Sequence, residues 1–156
     1  MKAGLTLLVV LTFFQNGEIA GTVIGVEDGD TVEVMLNNQK TKIRIFGIDS
    51  PEDGQAFSGK AKQYATVLCL NKKVKVIKHD AKDSFGRIVG EVILEDGRSV
   101  GKELVAAGYT WVYRKFTNDP DMIRLEEEAR KQKKGLWIEE NPTPPWDFRK
   151  NKTAGN

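Results

Sequence analysis

The sequence predicts an α+β fold, a five-stranded OB-type β-barrel with three α-helices. Two runs of alternating apolar residues, EIAGTVIGV and TVEVML, flank the dipeptide Asp28-Gly29, which is a strong hairpin signal. A third run, KTKIRIFGI, follows a polar turn at residues 37–39, so the first three strands form a meander. A helical pattern then separates the third strand from the fourth. This order of elements is typical of an OB-type barrel.

Three segments have the apolar spacing or the terminal residues of helices. The first helix is expected over residues 55–70, and the strands KKVKVIK and GRIVGEVILE follow it and complete the barrel. A short second helix is expected to have Ser99 as its N-cap and to end at Gly108. The third helix begins in NDPD, with Asn118 or Asp119 as its cap, and ends in KQKKG.

Both ends of the chain are predicted to lie outside the barrel domain. A lysine followed by the apolar run from Leu5 to Phe14 fits a signal peptide, which we place at residues 1–17. A buried first strand or helix is the alternative. The domain itself is expected at residues 18–140, and the Pro-rich tail at residues 141–156 is expected to be extended or partly disordered. A signal peptide would make the protein secreted or periplasmic.

Composition and charge narrow the kinds of site that the chain can form. Its net charge of +2 is no signal for nucleic acid, but residues 1–59 carry 4 basic and 8 acidic side chains, and residues 60–156 carry 20 and 14. An acidic half can hold a cation and a basic half can attract a polyanion, although an unevenly charged surface is the simpler explanation. A single cysteine, Cys69, excludes a disulfide bond within the chain. A single histidine, His79, does not support a zinc site or a Ser-His-Asp triad.

Acidic residues stand where the predicted strands end. Asp30 follows the first hairpin turn, and Asp49 and Glu52 follow the third strand. If these strands form a meander, the carboxylates lie at one rim of the barrel and repel one another unless a cation binds between them. Oxygen ligands without His or Cys favour Ca²⁺ or Mg²⁺. Aspartate is also common in turns, which is the interpretation that we adopt for Asp28.

Two arginines are expected near the same rim. Alternation in KIRIFGI places Arg44, Phe46 and Ile48 on one face of the third strand. An arginine among apolar neighbours is costly unless it is paired or faces an anion. The segment DSFGR supplies Arg87 at the start of the fifth strand. Two guanidinium groups and a hard cation at one place suit a phosphodiester, because all three bind its oxygens.

The motifs DGDTVEV, IRIFGIDSPE and DSFGR, in this order and spacing, closely resemble the staphylococcal nuclease (thermonuclease-like) family. The segments GKELVAAGYTWVY and EEEARKQKKGLW match the C-terminal part of that family, so the resemblance extends from about Glu18 to Trp137. It implies an OB-fold barrel with three helices that cleaves DNA and RNA with Ca²⁺ as its cofactor. It also implies a monomer with no membrane contact in its mature form.

The resemblance assigns a metal site and a water-handling residue. Asp30 and Asp49 are expected to bind Ca²⁺ through their side chains, and Ser50 through its backbone carbonyl. Glu52 is expected to orient or deprotonate the water that attacks phosphorus. The best-known family member has threonine at the Ser50 position, and this change should not matter for a ligand that is a backbone carbonyl.

The resemblance also assigns contacts to the substrate. Arg44 and Arg87 are expected to hold the scissile phosphate and to stabilise its transition state. Tyr113 is expected to stack on a base, with a core or surface tyrosine as the alternative. The chain departs from the family pattern at Ser84 and Phe85, where the best-known member has a lysine and a tyrosine that grip a neighbouring phosphate. That second phosphate contact is therefore in doubt.

A non-catalytic OB-fold module that binds nucleic acid is the alternative function. Some relatives of this domain have lost the active site, and loss of the catalytic residues marks them. The expected carboxylates and both arginines are present here, which favours the enzyme.

Overall fold

Five strands close into a barrel, and the computed structural model describes them within residues 17–154, apart from the side chains of residues 80–82. The strands are β1 (Glu18–Val26), β2 (Thr31–Leu36), β3 (Gln39–Ile45), β4 (Ile48–Asp49), β5 (Lys73–Lys82), β6 (Ile88–Leu94) and β7 (Trp111–Val112). The barrel has the order β1-β2-β3-β6-β5, and β4 and β7 form a separate two-stranded sheet. Neighbouring barrel strands are antiparallel except β3 and β6, which are parallel. The predicted α+β barrel is confirmed.

Helices follow the strands in the expected order, but residues 17–154 contain one more α-helix than predicted. They are α1 (Ser58–Cys69), α2 (Val100–Ala106), α3 (Pro120–Lys131) and α4 (Pro145–Ala154), with a 3₁₀ helix at Gly135–Ile138. Among the residues that the structure describes, no helix is both long enough and apolar enough to span a bilayer.

The alternation of apolar residues along the strands fills the barrel. Val32 and Val34 of β2 and Ile43 and Ile45 of β3 are at most 2% exposed. Each such side chain contributes about 1.5–3 kcal/mol on burial. Cys69, at the end of α1, lies in the same core.

The third strand is shorter than the sequence predicted, and the reason lies at Gly47. This residue has φ +78°, a left-handed conformation that ends β3 after Ile45. The chain then re-enters extended structure as β4, which pairs with β7. Ile48 is therefore 1% exposed, and it does not share a strand face with Arg44 as expected. The break redirects the chain immediately before Asp49.

The helix termini agree largely with the predicted caps. Ser99 caps α2, and Gly108, with φ +76°, follows its end. Asp119 caps α3, where its side chain accepts hydrogen bonds from the N–H groups of Asp121 and Met122. The first helix begins only at Ser58, three residues later than predicted, after a left-handed residue.

The expected extended tail contains the fourth helix. Pro145 is its first residue, a position where the fixed φ of proline suits a helix and its missing N–H costs nothing. Asp147 in the first turn and Lys152 in the last complement the helix dipole. The expectation of an extended tail is therefore wrong for residues 145–154. The proposed signal peptide, residues 1–17, lies outside the described residues except for Gly17.

Candidate active site

Arg44 of β3 lies between two buried aspartates. Its Nε is 3.2 Å from Oδ1 of Asp30, and its Nη2 donates to Oδ1 of Asp49 at 3.1 Å. Its Nη1 donates to the carbonyl of Ile45 at 2.9 Å. The side chains of Asp30 and Asp49 are only 7% and 3% exposed. Buried charges persist when they are paired, so this cluster accounts for an arginine between two buried isoleucines, Ile43 and Ile45.

Strand register brings Asp30 to Arg44. Thr31 is directly opposite Arg44 in the β2–β3 ladder, and Asp30 is the residue before it. The N–H of Ser50 donates to Oδ2 of Asp30 at 2.6 Å, which joins the β1–β2 turn to the segment after β4. A Cβ at Gly29 would lie 2.7 Å from Cβ of Ser50. The turn therefore needs glycine beside the aspartate for the two segments to meet.

Arg87 joins the cluster through Thr31. Its Nη1 donates to Oγ1 of Thr31 at 3.0 Å, and that hydroxyl donates to Oδ1 of Asp30 at 3.2 Å. On its other side, Asp83 accepts hydrogen bonds from Nε of Arg87 at 2.5 Å and from its backbone N–H at 2.9 Å. Burial raises the pKa of Asp83, but the hydrogen bonds and charge of Arg87 outweigh it and hold that pKa below its usual value. Asp83 is therefore ionised, and its carboxylate orients the guanidinium of Arg87.

Glu52, on the loop after β4, shares one guanidinium with Asp49. Arg149 of α4 donates to Oδ1 and Oδ2 of Asp49 at 3.2 and 2.8 Å, and its Nη1 also donates to Oε1 of Glu52. The N–H of Glu52 donates to Oε1 of Gln55 at 2.9 Å, and Nε2 of Gln55 donates to the carbonyl of Thr143 at 2.6 Å. The C-terminal segment is thus bonded to the loop that carries Glu52.

Tyr113 follows β7 and is covered by a ring from α4. Its ring stacks on that of Trp146, with the centroids 5.3 Å apart and the planes 4° from parallel. Trp146 also meets Trp111 edge-on at 5.6 Å. The N–H of Tyr113 donates to the carbonyl of Gly47 at 2.8 Å, which fixes its backbone beside the break after β3. The Tyr113 ring, which was expected to stack on a base, stacks on Trp146 in this conformation.

Comparison with known proteins assigns the family. A family model described as staphylococcal nuclease homologue matches residues 42–139. The chain belongs to the staphylococcal nuclease family. It is 40% identical over 135 residues to an Escherichia coli protein described as an uncharacterized endonuclease, covering 86% of this chain and 88% of that one. It is 34% identical over 150 residues to a Shigella flexneri protein named micrococcal nuclease, covering 89% and 86%.

This chain matches only part of the length of a plant relative. The chain is 34% identical over 118 residues to an Arabidopsis thaliana protein named staphylococcal-like nuclease CAN1, covering 76% of this chain but 36% of that one. The family resemblance drawn from the motifs is confirmed by these matches. The family match begins two residues before Arg44 and includes Asp49, Ser50, Glu52 and Arg87.

In this staphylococcal nuclease homologue, burial and, to a smaller extent, neighbouring negative charge raise the pKa values of two aspartates. Burial raises the pKa of Asp49, and Asp30 adds to the rise, although Arg149 and Arg44 oppose it. Burial and the charge of Asp30 raise the pKa of Asp28 to about 6. A raised carboxyl pKa means that the ionised form is less stable here than in water. A cation at this rim would lower both pKa values.

The ligand set expected from the family is compatible with this arrangement. Among residues 17–79 and 83–154, no three His, Cys, Asp or Glu side chains form a group arranged for a metal ion. The expected set has only two side chains, Asp30 and Asp49, together with the carbonyl of Ser50. It suits a hard divalent cation because all donors are oxygens. The contact of the Arg149 guanidinium with Asp49 and Glu52 is a second sign that the site favours positive charge.

Sequence reasoning missed the residues that position the site rather than form it. Thr31 and Asp83 were not singled out, although Asp83 opens the same DSFGR motif that supplied Arg87. Trp146 and Arg149 were assigned to an extended tail. Their signal was the proline pair in TPPWDFRK, followed by two large side chains three positions apart, which is the spacing of one helix face.

Proposed function

We propose that this protein is a Ca²⁺-dependent nuclease that hydrolyses the phosphodiester bonds of DNA and RNA with little sequence preference. One observation carries the proposal: Arg44, Arg87, Asp30 and Asp49 belong to one hydrogen-bonded cluster, with Glu52 attached to Asp49 through Arg149. The names of the relatives, endonuclease and micrococcal nuclease, support the same reaction.

The cation is proposed to be held by Asp30, Asp49 and the carbonyl of Ser50. When bound, Ca²⁺ supplies positive charge that neutralises the phosphate as negative charge develops on it. The two aspartates are the most buried carboxylates of the cluster, so they carry charge that water cannot screen well. Few protein ligands are proposed, and water and substrate oxygens complete the set.

The two arginines are proposed to bind the scissile phosphate. Asp30 and Asp49 direct the guanidinium of Arg44, while Asp83 and Thr31 direct that of Arg87. Guanidinium groups fixed in this way need no reorganisation when charge builds on the equatorial oxygens of phosphorus.

Glu52 is proposed to orient or deprotonate the attacking water. Its side chain is 36% exposed, so water reaches it, and its backbone is fixed through Gln55.

Tyr113 is proposed to stack on a base of the substrate, which requires Trp146 to leave the face that it covers. Stacking accepts any base, so it gives little sequence preference.

We expect Ca²⁺ to support turnover while Mg²⁺ binds and supports little. Two carboxylates and one carbonyl leave an irregular shell of water and substrate oxygens. Ca²⁺ tolerates such a shell, whereas Mg²⁺ demands near-ideal octahedral geometry. The measurement is the initial rate of DNA and of RNA cleavage at saturating concentrations of each ion, with EGTA as the blank. Equal rates with the two ions would contradict the proposal.

Export is proposed from the N-terminal apolar run, Leu5 to Phe14. If residues up to about Gly17 are a removable signal, a protein that begins at Glu18 should keep its melting temperature and its activity. Thermal unfolding and rate assays of the two forms test this. A large fall in melting temperature would show that the run packs against the domain.

A further inference from the structure

Helix α4 places two side chains on the candidate active site from one face. Trp146 and Arg149 are three positions apart, so they project from the same side of the helix. Trp146 stacks on Tyr113, and Arg149 bonds to Asp49 and Glu52. One helix therefore contacts a residue proposed for substrate binding and the carboxylates proposed for the cation and the water.

Arg149 neutralises Asp49 as a bound cation would. Its two Nη atoms lie 3.2 and 2.8 Å from the two carboxylate oxygens, a bidentate fork. Arg44 donates to the same Oδ1 at 3.1 Å, so Asp49 already accepts three hydrogen bonds. A divalent cation on this carboxylate must therefore displace the fork or bind against its positive charge. Both alternatives weaken cation binding.

Trp146 covers Tyr113 in the geometry of a stacked base. The ring planes are 4° from parallel, and nucleic-acid bases stack on aromatic faces in the same parallel manner. A base and the indole ring cannot occupy that face together. Substrate that uses Tyr113 must therefore move Trp146.

Besides these contacts, α4 is held mainly by the packing of Trp146 against Trp111. Pro145 is its only buried residue, and residues 149–154 are exposed. The helix carries three basic residues, Arg149, Lys150 and Lys152, against one acid, Asp147, a net charge of +2. A helix held by few buried contacts detaches at low cost. Its positive charge would then face the polyanionic substrate instead of the acidic rim.

We propose that α4 is an autoinhibitory strap that a divalent cation and nucleic acid displace together. In the closed form Arg149 takes the place of the cation and Trp146 takes the place of a base. In the open form both positions are free and the basic helix lies near the phosphate backbone. The identity of the excluded ligands rests on the proposed function. The contacts of Arg149 and Trp146 themselves belong to the fold.

The test is the affinity of substrate-free protein for Ca²⁺, measured by titration calorimetry. A strap that is closed about nine-tenths of the time lowers the apparent affinity about tenfold. We therefore expect Arg149→Gln to bind Ca²⁺ about tenfold more tightly than the parent. The matched control is Lys150→Gln, which removes the same charge from the adjacent position. Lys150 pairs only with Asp147 among the described residues, so its replacement should leave the affinity unchanged.

Cleavage rates separate the strap from the proposed function. Tighter Ca²⁺ binding by Arg149→Gln and also by Trp146→Ala, which keeps the Arg149 charge but removes the stacking contact of α4, supports the strap even if neither protein cleaves DNA, in which case the proposed function fails. Tighter binding by Arg149→Gln without any gain in Trp146→Ala identifies charge repulsion by a fixed helix and overturns the strap. An affinity within twofold of the parent overturns the strap, while Ca²⁺-dependent cleavage by the parent keeps the proposed function. A fall in the kcat of Arg149→Gln at unchanged Ca²⁺ affinity also overturns the strap, because Arg149 would then assist Glu52 in the reaction. Arg149 is 42% exposed, so its replacement does not disturb the core.

Discussion

Replacing Arg44 or Arg87 by lysine is expected to lower kcat by about 1,000-fold or more, since arginines that contact the transferred phosphoryl group contribute about 10³–10⁵ in rate. Lysine keeps the charge but loses the planar fork. Arg44 contacts Asp30 through Nε and Asp49 through Nη2, and one ammonium group cannot reproduce both contacts together with a bond to phosphate. Interactions that strengthen only in the transition state lower kcat when they are lost.

KM should change much less than kcat in these variants, because binding of the phosphate backbone is shared among many lysines. The control is Arg98→Lys, in the turn after β6. Arg98 pairs with Asp96 and Glu103 at the surface, so its replacement should leave kcat nearly unchanged. If Arg44→Lys keeps kcat within tenfold of the parent while its melting temperature is also unchanged, Arg44 has a structural role and the proposed role in catalysis is wrong.

The largest loss of stability is expected from Glu126→Ala in α3. Glu126 is 1% exposed, and its Oε1 accepts the N–H of Val112 at 2.9 Å. Its Oε2 lies 3.1 and 3.3 Å from the guanidinium groups of Arg114 and Arg130. Alanine leaves a buried N–H without an acceptor, which costs about 1–3 kcal/mol, and it also leaves a cavity. We expect the free energy of unfolding to fall by about 2–4 kcal/mol, or about 5–15 °C in Tm.

Glu126→Gln keeps the acceptor for Val112 and should lose about half as much. The matched control is Glu128→Ala in the same helix. Glu128 is half-exposed and pairs with Arg124 at the surface, and such pairs contribute about 0.5 kcal/mol or less. Denaturant unfolding of the three variants measures these differences. A change below about 0.5 kcal/mol in Glu126→Ala would contradict the role assigned to the Val112 hydrogen bond.

The barrel strands could be predicted because their signals are local. The Asp28-Gly29 turn and the alternation in β2 and β3 depend on neighbours in the chain, and they appear as expected except that β3 ends at Ile45. The parallel pairing of β3 with β6 and the β4–β7 sheet join segments far apart in sequence. Two-residue strands have no periodicity to detect, and the end of β3 depends on the left-handed conformation of Gly47.

The residues of the candidate site also fall into two groups: those with a local signal in the sequence and those that depend on distant contacts. Asp30, Arg44 and Asp49, which contact one another in the structure, were singled out from the sequence because a charge at a strand end or beside apolar residues is conspicuous. Arg149 was missed because α4 depends on contacts across the fold. A ten-residue helix is marginal by propensity alone, and α4 is attached by Trp146 and Arg149 to residues about 35 to 100 positions earlier. Those contacts are not visible in the sequence of the tail.

The most direct measurement is incubation of the purified protein with supercoiled plasmid DNA, in Ca²⁺ and in EGTA. The parent and Arg149→Gln are used in parallel, so that a closed strap cannot be mistaken for an inactive site. We expect nicked, linear and then fragmented DNA in Ca²⁺ and intact supercoiled DNA in EGTA. DNA that stays covalently intact in every lane at micromolar protein, even where its mobility is shifted, would contradict a nuclease and identify a nucleic-acid-binding module.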